Sequence, residues 1–202
     1  GQVPPEVTKA KSHYRRNNNR SRVRTGAGTV FFSHCNLRCC FCQNYNISHE
    51  NYGQQVTVER LREIYSELID QGVHNINLVN PTHFTRAIIK SLDRCLPVPV
   101  VWNTGGYERV ETLKRLEGKV QVYLPDLKYI DSDHARKYSA APNYFEYASE
   151  ALKEMLRQTG PVQIDADGII RRGVIVRHLI LPGCANESMR ILDWIAENLP
   201  GA

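Results

Sequence analysis

The chain has 202 residues, of which 42% are hydrophobic and 23% charged, a balance typical of one ordinary globular domain. It holds no apolar run of roughly eighteen residues, so we predict neither a transmembrane helix nor a membrane partner. The net charge of +5 is uneven, because residues 1–28 hold seven Lys or Arg and one acidic residue. We therefore predict a basic, poorly ordered segment over 1–25 and a folded domain over 26–202.

The basic segment is a candidate for binding nucleic acid or an acidic protein. No recognition module for nucleic acid accompanies it, so we predict no nucleic-acid partner. Three of the six cysteines lie in one short motif, which is unlike a spread disulfide framework. This usage indicates a reducing compartment and hence a cytoplasmic protein.

In chain order, β-branched and aromatic runs alternate with helical apolar stripes. The predicted strands are residues 29–32, 75–79, 97–102, 120–124 and 174–181. The predicted helices cover about 57–71, 84–95, 110–118, 144–160 and 188–199. Thr57 and Gly72 are the expected start and stop signals of the first helix, and Asp165 to Gly168 are expected to form a hairpin turn.

Five strands, each followed by a helix, predict an α/β fold with a parallel sheet and right-handed crossovers. Periodicity does not separate a doubly wound sheet from a barrel. Polar residues follow the carboxyl end of every strand, and one ring of loops around one mouth favours a partial (β/α) barrel. Five units do not close a barrel, so we expect the chain to end before a sixth strand.

The first strand is followed by Cys35, Cys39 and Cys42, with Phe41 just before the last cysteine. Three thiolates within eight residues reach one metal centre if the loop wraps around it, and they leave one iron of a four-iron cluster open. The alternative is a structural zinc site, which usually takes a fourth Cys or His from a second motif. Cys40 would fit as that fourth ligand only with strained geometry, so we expect it to point away into packing.

This motif resembles that of the radical S-adenosylmethionine (SAM) superfamily. Four segments are also similar to a subgroup related to pyruvate formate-lyase activating enzymes. They are GTVFFSHCNLRC at 28–39, NINLVNPTH at 75–83, YLPDLKY at 123–129 and VRHLILPG at 176–183. The resemblance covers about residues 26–200 and implies a partial (β/α) barrel of radical SAM type.

The resemblance implies that Cys35, Cys39 and Cys42 hold a 4Fe-4S cluster whose fourth iron binds SAM. Reductive cleavage of SAM would give a 5′-deoxyadenosyl radical, with an electron from a donor such as flavodoxin or ferredoxin. In an activating enzyme, the radical removes hydrogen from a glycine of a glycyl radical protein, which would then be the partner.

By position, the resemblance also implies the residues that contact SAM. Phe41 would pack near the adenine, and Thr82 stands where a Gly-Gly-Glu motif usually holds the SAM amino group. Asn103 and Thr104 match an Asp-Thr turn after the third strand. Asp126 and Lys128 match an Asp-x-Lys pair after the fourth, and Arg177 matches an arginine in the fifth strand that faces the cofactor.

Two other functions remain open from the sequence. One is a radical SAM reaction on a small molecule or a peptide. The other is a cluster-bearing or zinc-bearing binding module that uses the basic segment to hold nucleic acid or an acidic protein. The resemblance favours the activating enzyme over both, but one fold hosts many reactions.

Overall fold

A computed structural model describes residues 4–14, 26–50 and 52–202, with side chains described outside 8–14. Its strands are β1 (Glu6–Tyr14), β2 (Gly26–Phe32), β3 (Gln54–Gln55), β4 (Asn75–Val79), β5 (Val100–Thr104), β6 (Val122–Pro125), β7 (Gln163–Ile164) and β8 (Ile170–Val174). They form one sheet in the order β3-β1-β2-β4-β5-β6-β8-β7.

The helices lie between these strands. They are α1 (Tyr45–Ser48), α2 (Val58–Asp70), α3 (Thr85–Ser91), α4 (Val110–Lys114), α5 (Ser132–Ser139), α6 (Tyr144–Thr159) and α7 (Ala185–Asn198), with a short 3-10 helix at Thr82–Phe84. None of the helices in the described ranges is both long and apolar enough to cross a bilayer.

The centre of the sheet is parallel. β2, β4, β5, β6 and β8 pair in that order and all run in the same direction. Since the carboxyl ends of parallel strands meet at one edge, the loops after these strands share one end of the fold. The sheet does not close on itself. The predicted α/β fold, a partial barrel with mostly parallel strands, is confirmed.

The first long helix forms where the sequence predicts it. Thr57 caps α2 by accepting a 3.0 Å hydrogen bond from the amide of Arg60, and Gly72 follows its end with φ +79°. The helix buries Leu61, Tyr65 and neighbouring apolar side chains against the sheet. This contact belongs to the larger of two apolar cores, which lies between the sheet and α2, α3, α4 and α6.

Part of the leading segment, which we predicted to be poorly ordered, forms a strand. Glu6–Tyr14 forms β1, which pairs antiparallel with β2. Without β1, strand β2 would lie at the edge of the sheet. Backbone hydrogen bonds need no apolar side chains, so a basic sequence can hold this position. The remainder of the predicted segment, 1–3 and 15–25, lies outside the described residues.

The last parallel strand also differs from its prediction. We expected a strand over 174–181, but β8 ends at Val174 and later pairing with β6 continues as one bridge between Asp126 and Arg177. In the described part of the chain, no strand flanks this stretch on its other side, since β7 pairs only with 170–172. Backbone hydrogen bonds nonetheless continue beyond Val174, since the Ile175 amide donates to the Tyr123 carbonyl and the Arg177 amide to the Pro125 carbonyl, each at 2.9 Å. The predicted turn at Asp165–Gly168 does connect β7 to β8.

Candidate active site

The cysteine loop begins directly after β2 with a tight change of direction. His34 has φ +68°, an uncommon value for a residue with a side chain. Two contacts hold it there: its amide donates to the Ile47 carbonyl at 3.1 Å, and its Nε2 lies 3.0 Å from a Glu6 carboxylate oxygen. The loop is thus fixed in part by β1, from the segment predicted to be disordered.

The loop docks on the end of α5. The amide of Arg38 donates to the Ser139 carbonyl at 3.0 Å, and the amide of Cys40 donates to the Tyr138 carbonyl at 2.9 Å. Cys39 is buried in this contact and Cys40 is exposed. We expected Cys40 to point away from the metal centre into packing, but its side chain is exposed to solvent.

Each of the other three sulfur atoms has a polar neighbour. Ser139 Oγ donates to Cys39 Sγ at 2.9 Å, Cys42 Sγ lies 3.2 Å from Ser48 Oγ, and the Leu37 amide donates to Cys35 Sγ at 3.5 Å. Burial raises the pKa of Cys35 to about 11, and burial also raises the pKa of Cys39. Two buried thiols that resist ionisation become thiolates when a metal supplies compensating charge.

The number of sulfur ligands fits a cluster. A four-iron cluster that leaves one iron open takes one thiolate on each of the other three, and the loop supplies three such sulfurs within eight residues.

A carboxylate at the strand ends joins two cations. Asp126 follows β6; one of its oxygens lies 2.5 Å from Lys128 Nζ and the other 2.9 Å from an Arg177 nitrogen. Lys128 has a side chain only 14% exposed, so this is no freely solvated surface pair. The three side chains carry a net positive charge at the end of the fold where the cysteine loop lies.

Two further predicted residues extend this ion cluster. Arg177 also donates to the Asn103 side-chain oxygen at 2.8 Å, and Lys128 Nζ lies 5.9 Å from the centre of the Phe41 ring. Phe41, Lys128, Asp126, Arg177 and Asn103 thus form one continuous chain of contacts. It runs from the cysteine loop across the ends of β6 and β5.

The other two predicted residues belong to a different group. Thr82 and Thr104 both donate their hydroxyl protons to one oxygen of Glu108, at 2.5 and 2.6 Å, and Trp102 donates to it at 3.4 Å. The side-chain hydroxyls are thereby engaged with the protein itself. Glu108 is 2% exposed, and burial raises its pKa.

Little in the sequence pointed to Glu108 as a functional residue. An acid just after a Gly-Gly-Tyr turn is usually solvated, and we did not select it. The available signal was its place in a strand-end loop, together with hydroxyl residues at two other strand ends. Its second oxygen is buried and has no hydrogen-bond partner among the described residues.

Tyr144 ties the strand-end loops together. Its hydroxyl lies 2.8 Å from the carbonyl oxygens of both Gly105 and Asp126, and it accepts a hydrogen bond of 3.0 Å from the Lys128 amide. Gly106 has φ +81°, and a Cβ there would overlap the Asp126 carbonyl oxygen. Tyr144 thereby orients the backbone of the ion cluster.

A profile of the radical SAM superfamily matches residues 29–195, which is most of the chain and includes the cysteine loop and every strand-end residue above. The chain belongs to the radical SAM superfamily. Proteins of this superfamily use a 4Fe-4S cluster and SAM, so the predicted cofactors are confirmed. Enzymes of this superfamily need an electron donor.

The chain is also similar to "Uncharacterized protein MJ0674" of Methanocaldococcus jannaschii. The two are 30% identical over 194 residues, which is 90% of this chain and 52% of the relative. The chain thus spans about half the length of this curated relative. The similarity extends across nearly the whole chain.

Proposed function

We propose that this radical SAM enzyme removes a hydrogen atom from a glycine of a partner protein and so activates a glycyl radical enzyme. In this proposal Cys35, Cys39 and Cys42 hold the cluster. When bound, the reduced cluster supplies the electron for cleavage of SAM, and the 5′-deoxyadenosyl group abstracts the hydrogen. The work of the protein is to bind, orient and exclude water.

The ion cluster beside the cysteine loop is the observation that carries the SAM part of the proposal. SAM presents an α-carboxylate and an α-ammonium group, and the site offers two cations and one carboxylate. Lys128 and Arg177 would meet the carboxylate and Asp126 would meet the ammonium. Because each side chain is already held by another, little freedom is lost when the ligand binds.

The ring of Phe41 supports the placement of the remainder of SAM. Phe41 lies on the cysteine loop beside Lys128, so an aromatic surface adjoins the charged end of the site. We propose that it packs on the adenine, as in the related activating enzymes. Asn103 would orient Arg177 through their 2.8 Å hydrogen bond.

Thr82 and Thr104 receive a different role from the one that resemblance suggests. With both hydroxyls on Glu108, they reach SAM only through backbone groups or by exchanging partners. We propose that the Thr82, Thr104 and Glu108 group fixes the ends of β4 and β5 relative to each other. It would thereby position the loop edges around the cofactor.

An open sheet and exposed apolar side chains favour a polypeptide substrate. Leu179, Ile180 and Met189 are exposed large hydrophobic residues on the stretch that runs from Arg177 into α7. Exposed apolar surface of this kind beside a reactive site suits docking of a protein better than enclosure of a metabolite. The electron donor in this proposal is a flavodoxin or a ferredoxin.

The test begins with anaerobic reconstitution of the full chain. Dithionite and SAM should yield 5′-deoxyadenosine, and a glycyl radical protein should then develop a glycine-centred EPR doublet. Cys42→Ala serves as the control that should do neither. If a small molecule or a peptide, and no glycyl radical protein, stimulates formation of 5′-deoxyadenosine, the enzyme carries out the alternative radical SAM reaction and is not an activating enzyme. A colourless protein with one zinc per chain would contradict the cluster itself.

A further inference from the structure

We propose that His134, Cys184 and Glu187 form a second metal site, for a single divalent ion such as Zn²⁺, separate from the cysteine loop. The three ligand atoms are an imidazole nitrogen, a thiol sulfur and a carboxylate oxygen. They all lie within 4.8 Å of one another. This mixture of nitrogen, sulfur and oxygen donors is the ligand set that zinc takes in proteins.

The distances converge on one point between two helices. His134 Nδ1 lies 2.6 Å from Glu187 Oε2 and 3.9 Å from Cys184 Sγ. His134 belongs to α5, whereas Cys184 is the cap residue at the start of α7 and Glu187 lies in its first turn. An ion at this point would connect two helices that are about fifty residues apart in the chain.

The carboxylate is held in place by its other oxygen. Glu187 is 6% exposed, and its Oε1 accepts hydrogen bonds from the amides of Ile130 at 2.9 Å and Asp131 at 2.8 Å. These bonds direct Oε2 toward His134. Partners of this kind orient ligands in metal sites and lower the cost of assembling them.

Charge and access also favour an ion. Cys184 and Glu187 lie at the amino end of a 14-residue helix, where negative charge is stabilised by the unpaired amides. The thiol is 8% exposed, but the His134 side chain is 36% exposed, which leaves an approach from solvent. A water molecule would complete four-fold coordination on that side.

Binding would balance as a simple exchange of protons for metal. The imidazole proton moves from Nδ1 to Nε2, so that Nδ1 offers its lone pair, and the thiol loses its proton to solvent. One proton is therefore released for each divalent ion bound, and no oxidant or reductant is needed.

An ordinary His–Glu ion pair would account for the 2.6 Å contact. It would not account for a buried thiol beside the same nitrogen, and it makes no use of Cys184. The two interpretations differ in what Cys184 does, so that residue is the point at which to test them.

The experiment uses the full chain with its cluster already loaded, so that the cysteine loop is occupied by iron. After exposure to Zn²⁺ and removal of the excess, we expect about one zinc beside about four irons per chain. Cys184→Ser should lose most of the zinc and keep the iron, and His134→Gln should do the same. Cys95→Ser, which changes an exposed cysteine, is the matched control and should keep both metals.

X-ray absorption at the zinc edge tests the wild-type protein directly, even if a variant folds poorly. The site predicts one sulfur at about 2.3 Å and the remaining ligands as nitrogen or oxygen at about 2.0–2.1 Å. Three sulfurs around zinc would place it in the cysteine loop and overturn the proposal. Failure to retain zinc, or equal zinc in Cys184→Ser, would overturn it as well. None of these outcomes depends on the identity of the radical substrate.

Discussion

Ser139, the last residue of α5, donates a 2.9 Å hydrogen bond to the sulfur of Cys39, one hundred residues earlier in the chain. A hydrogen bond to a cluster thiolate stabilises the reduced, more negative state and raises the reduction potential. The hydroxyl of Tyr129 lies 2.8 Å from the same Ser139 oxygen and holds it in place. In the proposed function Cys39 holds the cluster, and a residue outside the cysteine motif is thus placed to set the reduction potential.

Ser139→Ala should lower the reduction potential of the cluster. Loss of about 1 kcal/mol of preference for the reduced state corresponds to a shift on the order of 40–50 mV for one electron. A redox titration followed by EPR measures it. Ser149→Ala is the matched control, since that buried serine bonds within its own helix and should leave the potential unchanged. Equal potentials in wild type and Ser139→Ala would contradict the assigned role.

Cys42→Ala should abolish the 4Fe-4S cluster, because a ligand is lost, whereas Cys40→Ala should leave it in place, because that side chain is exposed. Iron analysis and absorbance after reconstitution measure both. Loss of iron in the second variant would mean that the ligands are wrongly assigned.

Asp126→Asn should weaken SAM binding about tenfold or more, which corresponds to roughly 1.4 kcal/mol. The neutral amide no longer holds Lys128 and Arg177 together and no longer offers a charge to the SAM ammonium group. Equilibrium binding of SAM to the cluster-loaded protein is the measurement. Lys153→Met, which removes an exposed pair with Glu150, is the control and should bind SAM as wild type does. An unchanged affinity in Asp126→Asn would remove the ion cluster from the proposed SAM site.

Gly106→Ala should destabilise the fold more than Gly118→Ala. Both glycines have positive φ, so each substitution costs about 1–2 kcal/mol of backbone strain. Only at Gly106 does a Cβ also overlap the Asp126 carbonyl oxygen, and it would lie 2.9 Å from the Tyr144 hydroxyl. At Gly118 a Cβ meets nothing within 4 Å. Urea unfolding measures the free energy of unfolding of both variants, and the difference between them is the cost of the steric overlap at Gly106. Equal free energies of unfolding would contradict the close approach of Gly106 to the Asp126 carbonyl.

Glu108→Gln should reduce the pH dependence of stability. The pKa of Glu108 is raised by burial from its ordinary value of 4.5. At a pH between the ordinary pKa and the raised pKa of the folded state, Glu108 is ionised in the unfolded protein and neutral in the folded one. Rising pH therefore lowers the free energy of unfolding of the wild type, by about 1.4 kcal/mol for each pH unit in this range. Glutamine cannot ionise, so its contribution to the free energy of unfolding does not change with pH.

The comparison is made by urea unfolding at pH 5 and at pH 8. Wild type should lose more stability than Glu108→Gln over this interval. Glu111→Gln, on the exposed side of α4, should behave as wild type does. Parallel stability curves for wild type and Glu108→Gln would mean that the carboxyl group is not kept neutral by the fold.

The sequence by itself determined the alternation of strands and helices, the cysteine loop and the residue types at the strand ends. These features follow from local periodicity and from short motifs, which a single sequence contains in full. Arg177 is an instance: the resemblance placed it in the fifth strand, and in the structure it pairs with Asp126.

Tertiary structure alone decided which of those residues meet. It separated the seven residues expected to contact SAM into two groups. Five lie in or beside the ion cluster, and the other two, Thr82 and Thr104, donate their hydroxyls to Glu108. It made a strand of a basic segment, and it brought Ser139 to Cys39 and His134 to Cys184. The physical reason is that many of these contacts join residues far apart in the chain, as far as one hundred positions for Cys39 and Ser139. Their partners are set by the packing of strands and helices and are not encoded in the spacing of nearby residues.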